Sequence, residues 1–172
     1  MDLSAFGLVL LVSVAAALDL GTRRIPNALT LGGFLLALGL RLFAGVPALT
    51  EGLLGALIAF AVSFPLFLLG GMGGGDVKLL SAVGAFLGPH RLWIALLAMA
   101  LAGGVLALGM AVARRRLLSS LMGMFRVLRH MTLRAVGIEG TGAVATLSSP
   151  DAVAVPYGVA IAVGALFGLM MP

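Results

Sequence analysis

Long stretches of this chain hold no charged residue, among them 3–18, 52–75, 92–113 and 152–172. A helix that crosses a bilayer needs about 20 consecutive apolar residues, and three of these stretches reach that length. Only 10% of the 172 residues are charged, whereas an ordinary soluble domain carries about 25%. Such a chain cannot cover itself with a hydrated surface. It reads as an all-α, polytopic integral membrane protein, a single domain over residues 1–172.

The hydropathy pattern predicts six transmembrane helices, at about 3–18, 28–44, 52–69, 79–88, 92–113 and 152–171. The fourth is short, and Pro89-His90 marks its turn. The first is preceded only by Asp2 and lacks both a basic leader and a small-residue cleavage site, so it is expected to be a retained helix. With the N-terminus outside, the inner loops hold Arg23, Arg24, Lys78, Arg114, Arg115, Arg116, Arg126, Arg129 and Arg134. The outer loops then hold Arg41 and Arg91 alone. That asymmetry predicts an N-out orientation.

Composition excludes several functions. The net charge of +5 comes from basic residues between apolar runs, and no soluble domain is present to offer a nucleic-acid-binding face. The chain has no cysteine, which removes disulfides, thiolate metal sites and a cysteine nucleophile. No His/Asp/Glu cluster has metal-ligand spacing, so neither metal nor cofactor is expected. The long inner loop, 114–151, begins as a basic amphipathic cytoplasmic helix. Leu117, Leu121, Met124, Phe125, Leu128 and Met131 share one face, with Arg126, Arg129, His130 and Arg134 largely opposite. That pattern suits the headgroup layer of membrane lipids. A Gly/Ser/Thr-rich link follows at 137–149.

Two of the six acidic residues stand in similar places. Asp19 ends the first apolar run, in Asp19-Leu20-Gly21-Thr22-Arg23-Arg24-Ile25-Pro26-Asn27, and Asp76 opens the fourth, in Gly73-Gly74-Gly75-Asp76-Val77-Lys78-Leu79. The predicted orientation puts both on the cytoplasmic side. Carboxylates at a membrane are costly and usually functional or paired. Two close together resist ionising at once and share a proton. One member then takes a proton from water while the other hydrogen-bonds a scissile carbonyl. The glycines at 70, 71, 73, 74 and 75 let a backbone approach another chain closely, so that an extended substrate can pair with it. No Gly-Lys-Ser/Thr closes this run, which excludes a P-loop. Pro26 keeps Ile25 out of a helix and starts span two, with Asn27 as its expected cap.

These motifs, with Pro156-Tyr157-Gly158 entering the last span, resemble those of the prepilin peptidases, the membrane aspartyl proteases of type IV and related pili. The resemblance implies a multi-pass enzyme of a prokaryotic inner membrane. It would cut a positively charged leader from a prepilin or pseudopilin at the cytoplasmic face. It implies Asp19 and Asp76 as the catalytic pair and Gly73 and Gly75 as residues that shape the site. Pro26, Asn27, Pro156 and Tyr157 line or frame it. Lys78 and Arg23 stand either as substrate contacts or as basic anchors. Larger members that also N-methylate the pilin carry an added cytoplasmic region with paired cysteines. The absence of cysteine, and of any sequence before span one, therefore predicts cleavage without methyl transfer. The presenilin group shares a Gly-x-Gly-Asp motif, but its other aspartate normally follows Tyr, whereas Leu18 precedes Asp19 here. Its Pro-Ala-Leu is replaced by Pro156-Tyr157-Gly158.

Two other readings compete. A proton- or ion-coupled transporter can use carboxylates as relay groups, but it wants them near the midplane of discontinuous helices. An assembly subunit can use them only as helix caps. His90 and Arg91 read as an outer turn, and Asp151 reads as a cap for the last span and the best third carboxylate. The sequence does not set an oligomeric state.

Overall fold

The computed structural model describes residues 2–113 and 156–171. These form five helices: α1 (Leu3–Thr22), α2 (Asn27–Phe43), α3 (Val46–Leu68), α4 (Gly74–Ala113) and α5 (Tyr157–Met170). No strand occurs among the described residues. The amphipathic segment and link expected within 114–151, and Asp151, lie outside them. Three helices, Leu3–Thr22, Val46–Leu68 and Gly74–Met110, are long and apolar enough to cross a membrane, and α2 and α5 are shorter apolar helices.

The segment α4 holds two helices, corresponding to the expected fourth and fifth spans, joined at Gly88, whose φ 73° and ψ 175° are not helical. The turn thus lies one residue before Pro89. A residue that precedes proline is driven out of the α region, and glycine accepts positive φ at no steric cost. The break reverses the chain. The first half of α4 runs back along α1, with Gly7 against the Phe86 ring and Gly75 against Ile25. The second half runs along α5, with Gly168 against Leu87 and Arg91, and Gly103 against Ala160.

Small residues bring these helices close. Gly55 and Gly84 sit backbone to backbone where α3 crosses α4, and Gly164 lies against the carbonyl of Ala95. In a bilayer, where apolar burial gives helices little reason to associate, such contacts provide the packing. The core runs through Leu8, Val12 and Ala15 of α1, Leu79, Val83 and Leu92 of α4, and Ile161 of α5, all essentially inaccessible. Buried Ser63 donates to the Ala59 carbonyl at 2.7 Å and buried Thr30 to that of Asn27 at 3.1 Å, so neither hydroxyl is orphaned. Outward-facing Leu31, Leu35, Leu57 and Leu97 are exposed, a surface suited to hydrocarbon.

Arg41 reads in the sequence as an outer-loop charge, yet it points inward. Its Nε donates to the Ala85 carbonyl at 2.6 Å, Nη2 to Phe86 at 2.9 Å and Nη1 to Ala48 at 3.0 Å, with Glu51 at 3.6 Å. The break at Gly88 strands the last carbonyls of the first half of α4, and the guanidinium fork satisfies two of them. Gly52 and Gly88 leave room for it.

Candidate active site

The opposite end of the helices from Arg41 holds both aspartates. Helix α1 runs to Thr22, one turn beyond the expected end at residue 18, so Asp19 lies inside its last turn. No proline intervenes before Pro26, and the Thr22 hydroxyl donates to the Leu18 carbonyl at 2.9 Å, holding the turn despite Gly21. The helix closes on Arg23, an exposed residue at φ 51° whose N–H donates to the Asp19 carbonyl at 3.0 Å. This is a left-handed C-cap made without glycine.

Asp19 is only 8% exposed. Its Oδ2 accepts the Gly158 N–H at 2.8 Å, a bond between residues 139 apart in sequence. Gly158 stands in the first turn of α5, where main-chain N–H groups lack helical partners and the helix dipole favours a carboxylate. A Cβ at Gly158 would lie 2.8 Å from Asp19 Cβ and 2.9 Å from Oδ2. Only glycine fits there. Pro156 is the N-cap residue of α5, and its carbonyl accepts the Val159 N–H at 3.2 Å.

The glycine-rich stretch divides into two jobs. Gly70, at φ 72°, stops α3: its N–H donates to Phe67 and that of Gly71 to Leu66, both at 2.9 Å. That is a Schellman arrangement. Helix α4 then starts at Gly74, five residues before the expected start at Leu79, so Asp76 lies in its first turn. Asp76 and Gly73 bond reciprocally. The Asp76 Oδ2 accepts the Gly73 N–H and the Gly73 carbonyl accepts the Asp76 N–H, each at 3.1 Å. The side-chain half is that of a capping box, with an aspartate in place of the usual Glu or Gln. The return bond is main chain to main chain, because Gly73 has no side chain, and together they favour the early helix start.

The two motifs meet. A Cβ at Gly75 would lie 3.3 Å from both Cβ and O of Ile25. Lys78 Nζ donates to Asn27 Oδ1 at 2.8 Å. Asn27 therefore does not cap α2: the cap position is Pro26, without a side-chain bond, and Asn27 is the first helical residue. Its amide oxygen is instead taken up by Lys78. Asp19 and Asp76 lie within Coulombic reach of each other, as do Asp76 and half-buried Tyr157. His90 and Arg91 lie near the Gly88 break, remote from the aspartates, and line a recess with Arg41 and Glu51.

Sequence reasoning missed Ile25 as a packing partner and Gly158 as the residue that holds Asp19. A glycine just after Pro-Tyr at a helix start signals close approach of another group, but not which group. Among the described residues no cluster of three or more His, Asp or Glu gathers.

The sequence model of the type IV leader peptidase family matches residues 6–108. Two relatives, from Aeromonas hydrophila and Aeromonas salmonicida (strain A449), both carry the name prepilin leader peptidase/N-methyltransferase. Each is 36% identical over 108 residues, which take in 56% of this chain and 36% of the relative. The chain thus matches about a third of the length of these relatives. No solved structure matches.

Proposed function

Because the chain belongs to the type IV leader peptidase family, we propose that it is an aspartyl endopeptidase that removes the positively charged leader of a prepilin or pseudopilin, with Asp19 and Asp76 as its dyad. One observation carries the reading. Two carboxylates from different helices stand at one end of the bundle, within Coulombic reach, each with one oxygen pinned by a main-chain N–H from Gly158 or Gly73. Pinning one oxygen limits the rotation of each carboxylate, and the reaction uses the other oxygen.

In the reaction, one carboxylate accepts a proton from water as the oxygen attacks the scissile carbonyl. The protonated partner donates to the carbonyl oxygen, and proton return to the amine lets the C–N bond break. The dyad acts as a unit, so base and acid are not assigned to single residues. The Gly74-Gly75 edge offers main chain for an extended substrate, and Tyr157 and Pro26 flank it. The charge asymmetry along the sequence supports a six-span, N-out arrangement in an inner membrane, with the site facing the cytoplasm. A precursor with an apolar helix and a basic leader would place its junction at that depth. The absence of cysteine in these residues supports cleavage without methyl transfer.

The test is mass spectrometry of prepilins incubated with wild type, Asp19→Asn and Asp76→Asn proteins, with a methyl donor present. Wild type is expected to release an unmethylated mature pilin. Each variant is expected to lose about 10³-fold or more in rate, the scale of positioned acid–base groups. Intact precursors throughout would remove the peptidase reading, and a mass gain of one methyl group would remove the restriction to cleavage.

A further inference from the structure

Each carboxylate is anchored to something other than its partner. Asp19 is bound to the start of α5, and Asp76 to the residue before its own helix. Neither anchor sets the separation of the two, on which a shared water depends. Two contacts join the turn after Asp19 to the turn that carries Asp76. They are the packing of Gly75 on Ile25 and the bond from Lys78 Nζ to Asn27 Oδ1, across 51 residues of sequence.

We propose that these two contacts form a tie that sets the spacing of the dyad, so that Lys78 and Asn27 are positioning residues for hydrolysis; this rests on the peptidase reading above. The chemistry of the pair fits the role. Asn27 is spared from capping because Pro26 holds the cap position, which leaves its amide oxygen for a cation. Lys78 lies two residues after Asp76 in the same first turns of α4, so its bond to Asn27 links the turn that carries Asp76 to the start of α2. Pro26, beside Asn27, has its φ locked by its ring, and the Ile25 backbone abuts Gly75. The tie is therefore stiff on the side of Asp19 and helical on the side of Asp76.

The test compares the full-length protein with Lys78→Met, Asn27→Leu, their double variant and the conservative Lys78→Arg and Asn27→Asp, which retain a donor and an acceptor. For Lys78→Met and Asn27→Leu, kcat is expected to fall about 10- to 100-fold, the scale of an ångström-level misplacement, while KM stays within about twofold. The double variant is expected to be no slower than the slower single one, and Lys78→Arg and Asn27→Asp to recover most of the rate.

A readout independent of cleavage uses the natural lack of cysteine. An Ile25→Cys, Gly75→Cys pair, whose Cβ positions nearly touch, is expected to cross-link readily, and several-fold more slowly in a Lys78→Met background. A raised KM with unchanged kcat in Lys78→Met would make Lys78 a substrate contact and overturn the proposal. Equal cross-linking rates in both backgrounds would overturn it as well. Should the wild type cleave no prepilin, the peptidase reading falls, and the cross-linking rates still decide whether the tie exists.

Discussion

At the scale of single residues, the site depends on a backbone that comes unusually near a carboxylate. Gly158 is the sharpest case, because any side chain there collides with Asp19 itself. Gly158→Ala is expected to displace the Asp19 carboxylate from its N–H, with proteolysis slowed at least about 10-fold and thermal stability lowered by about 1–3 kcal/mol, the range for overpacking. Gly104→Ala is the comparison, since no atom lies within 4 Å of the added methyl. It is expected to leave the rate unchanged and to add up to about 1 kcal/mol through helix propensity. Thermal unfolding in detergent, alongside cleavage rates, measures both. Equal losses in the two variants would mean that the methyl at Gly158 acts on the helix and not on Asp19. Arg23 shows that the local rule is not absolute, because a non-glycine residue takes the left-handed cap after Asp19.

At the scale of elements, helix existence was easier to read than helix ends. Uncharged runs locate α1 to α5, because a bilayer demands long apolar segments. The ends of α1 and α4 extend past those runs for a local reason. Asp19 and Asp76 are charged and so look like boundaries, yet each has a main-chain donor and remains helical. The bond from Gly158 to Asp19 was not legible, since no periodicity links residues 139 apart. The density of glycines at 70–75 was visible, but its division into a helix stop and a helix start depends on φ at Gly70 and on the Asp76–Gly73 exchange. Where α3 meets α4, Gly55 and Gly84 abut through their backbones. Gly55→Ala or Gly84→Ala is expected to force the two helices apart and to cost about 1–3 kcal/mol. The double variant should cost less than the sum of the two, because one displacement relieves both methyl groups. Denaturant titration of the two single variants and the double one measures this, and strict additivity would show that the crossing does not move as a unit.

At the scale of the whole molecule, the two ends do different work. One gathers the aspartates, the Arg23–Asn27 turn and the start of α5. The other holds the Gly88 break and the Arg41 fork, away from any reacting group. Replacing Arg41 with Met is expected to strand the Ala85 and Phe86 carbonyls and to destabilise the fold by about 2–4 kcal/mol, on the scale of lost charged hydrogen bonds. The specific activity of the surviving folded molecules should be nearly unchanged. Folded yield and activity per folded molecule separate these effects, and a loss of kcat at normal yield would tie the far end to catalysis. The same fork is expected to order events during synthesis. Arg41 is made 44 and 45 residues before the carbonyls it will serve, so the nascent chain carries a charge with no main-chain partner in α4 until that helix has been delivered. Completion of the α4 hairpin is then expected to be the step that lets α2 settle at full depth. A ribosome halted before residue 85 should leave α2 extractable at alkaline pH, whereas one halted well past residue 88 should not.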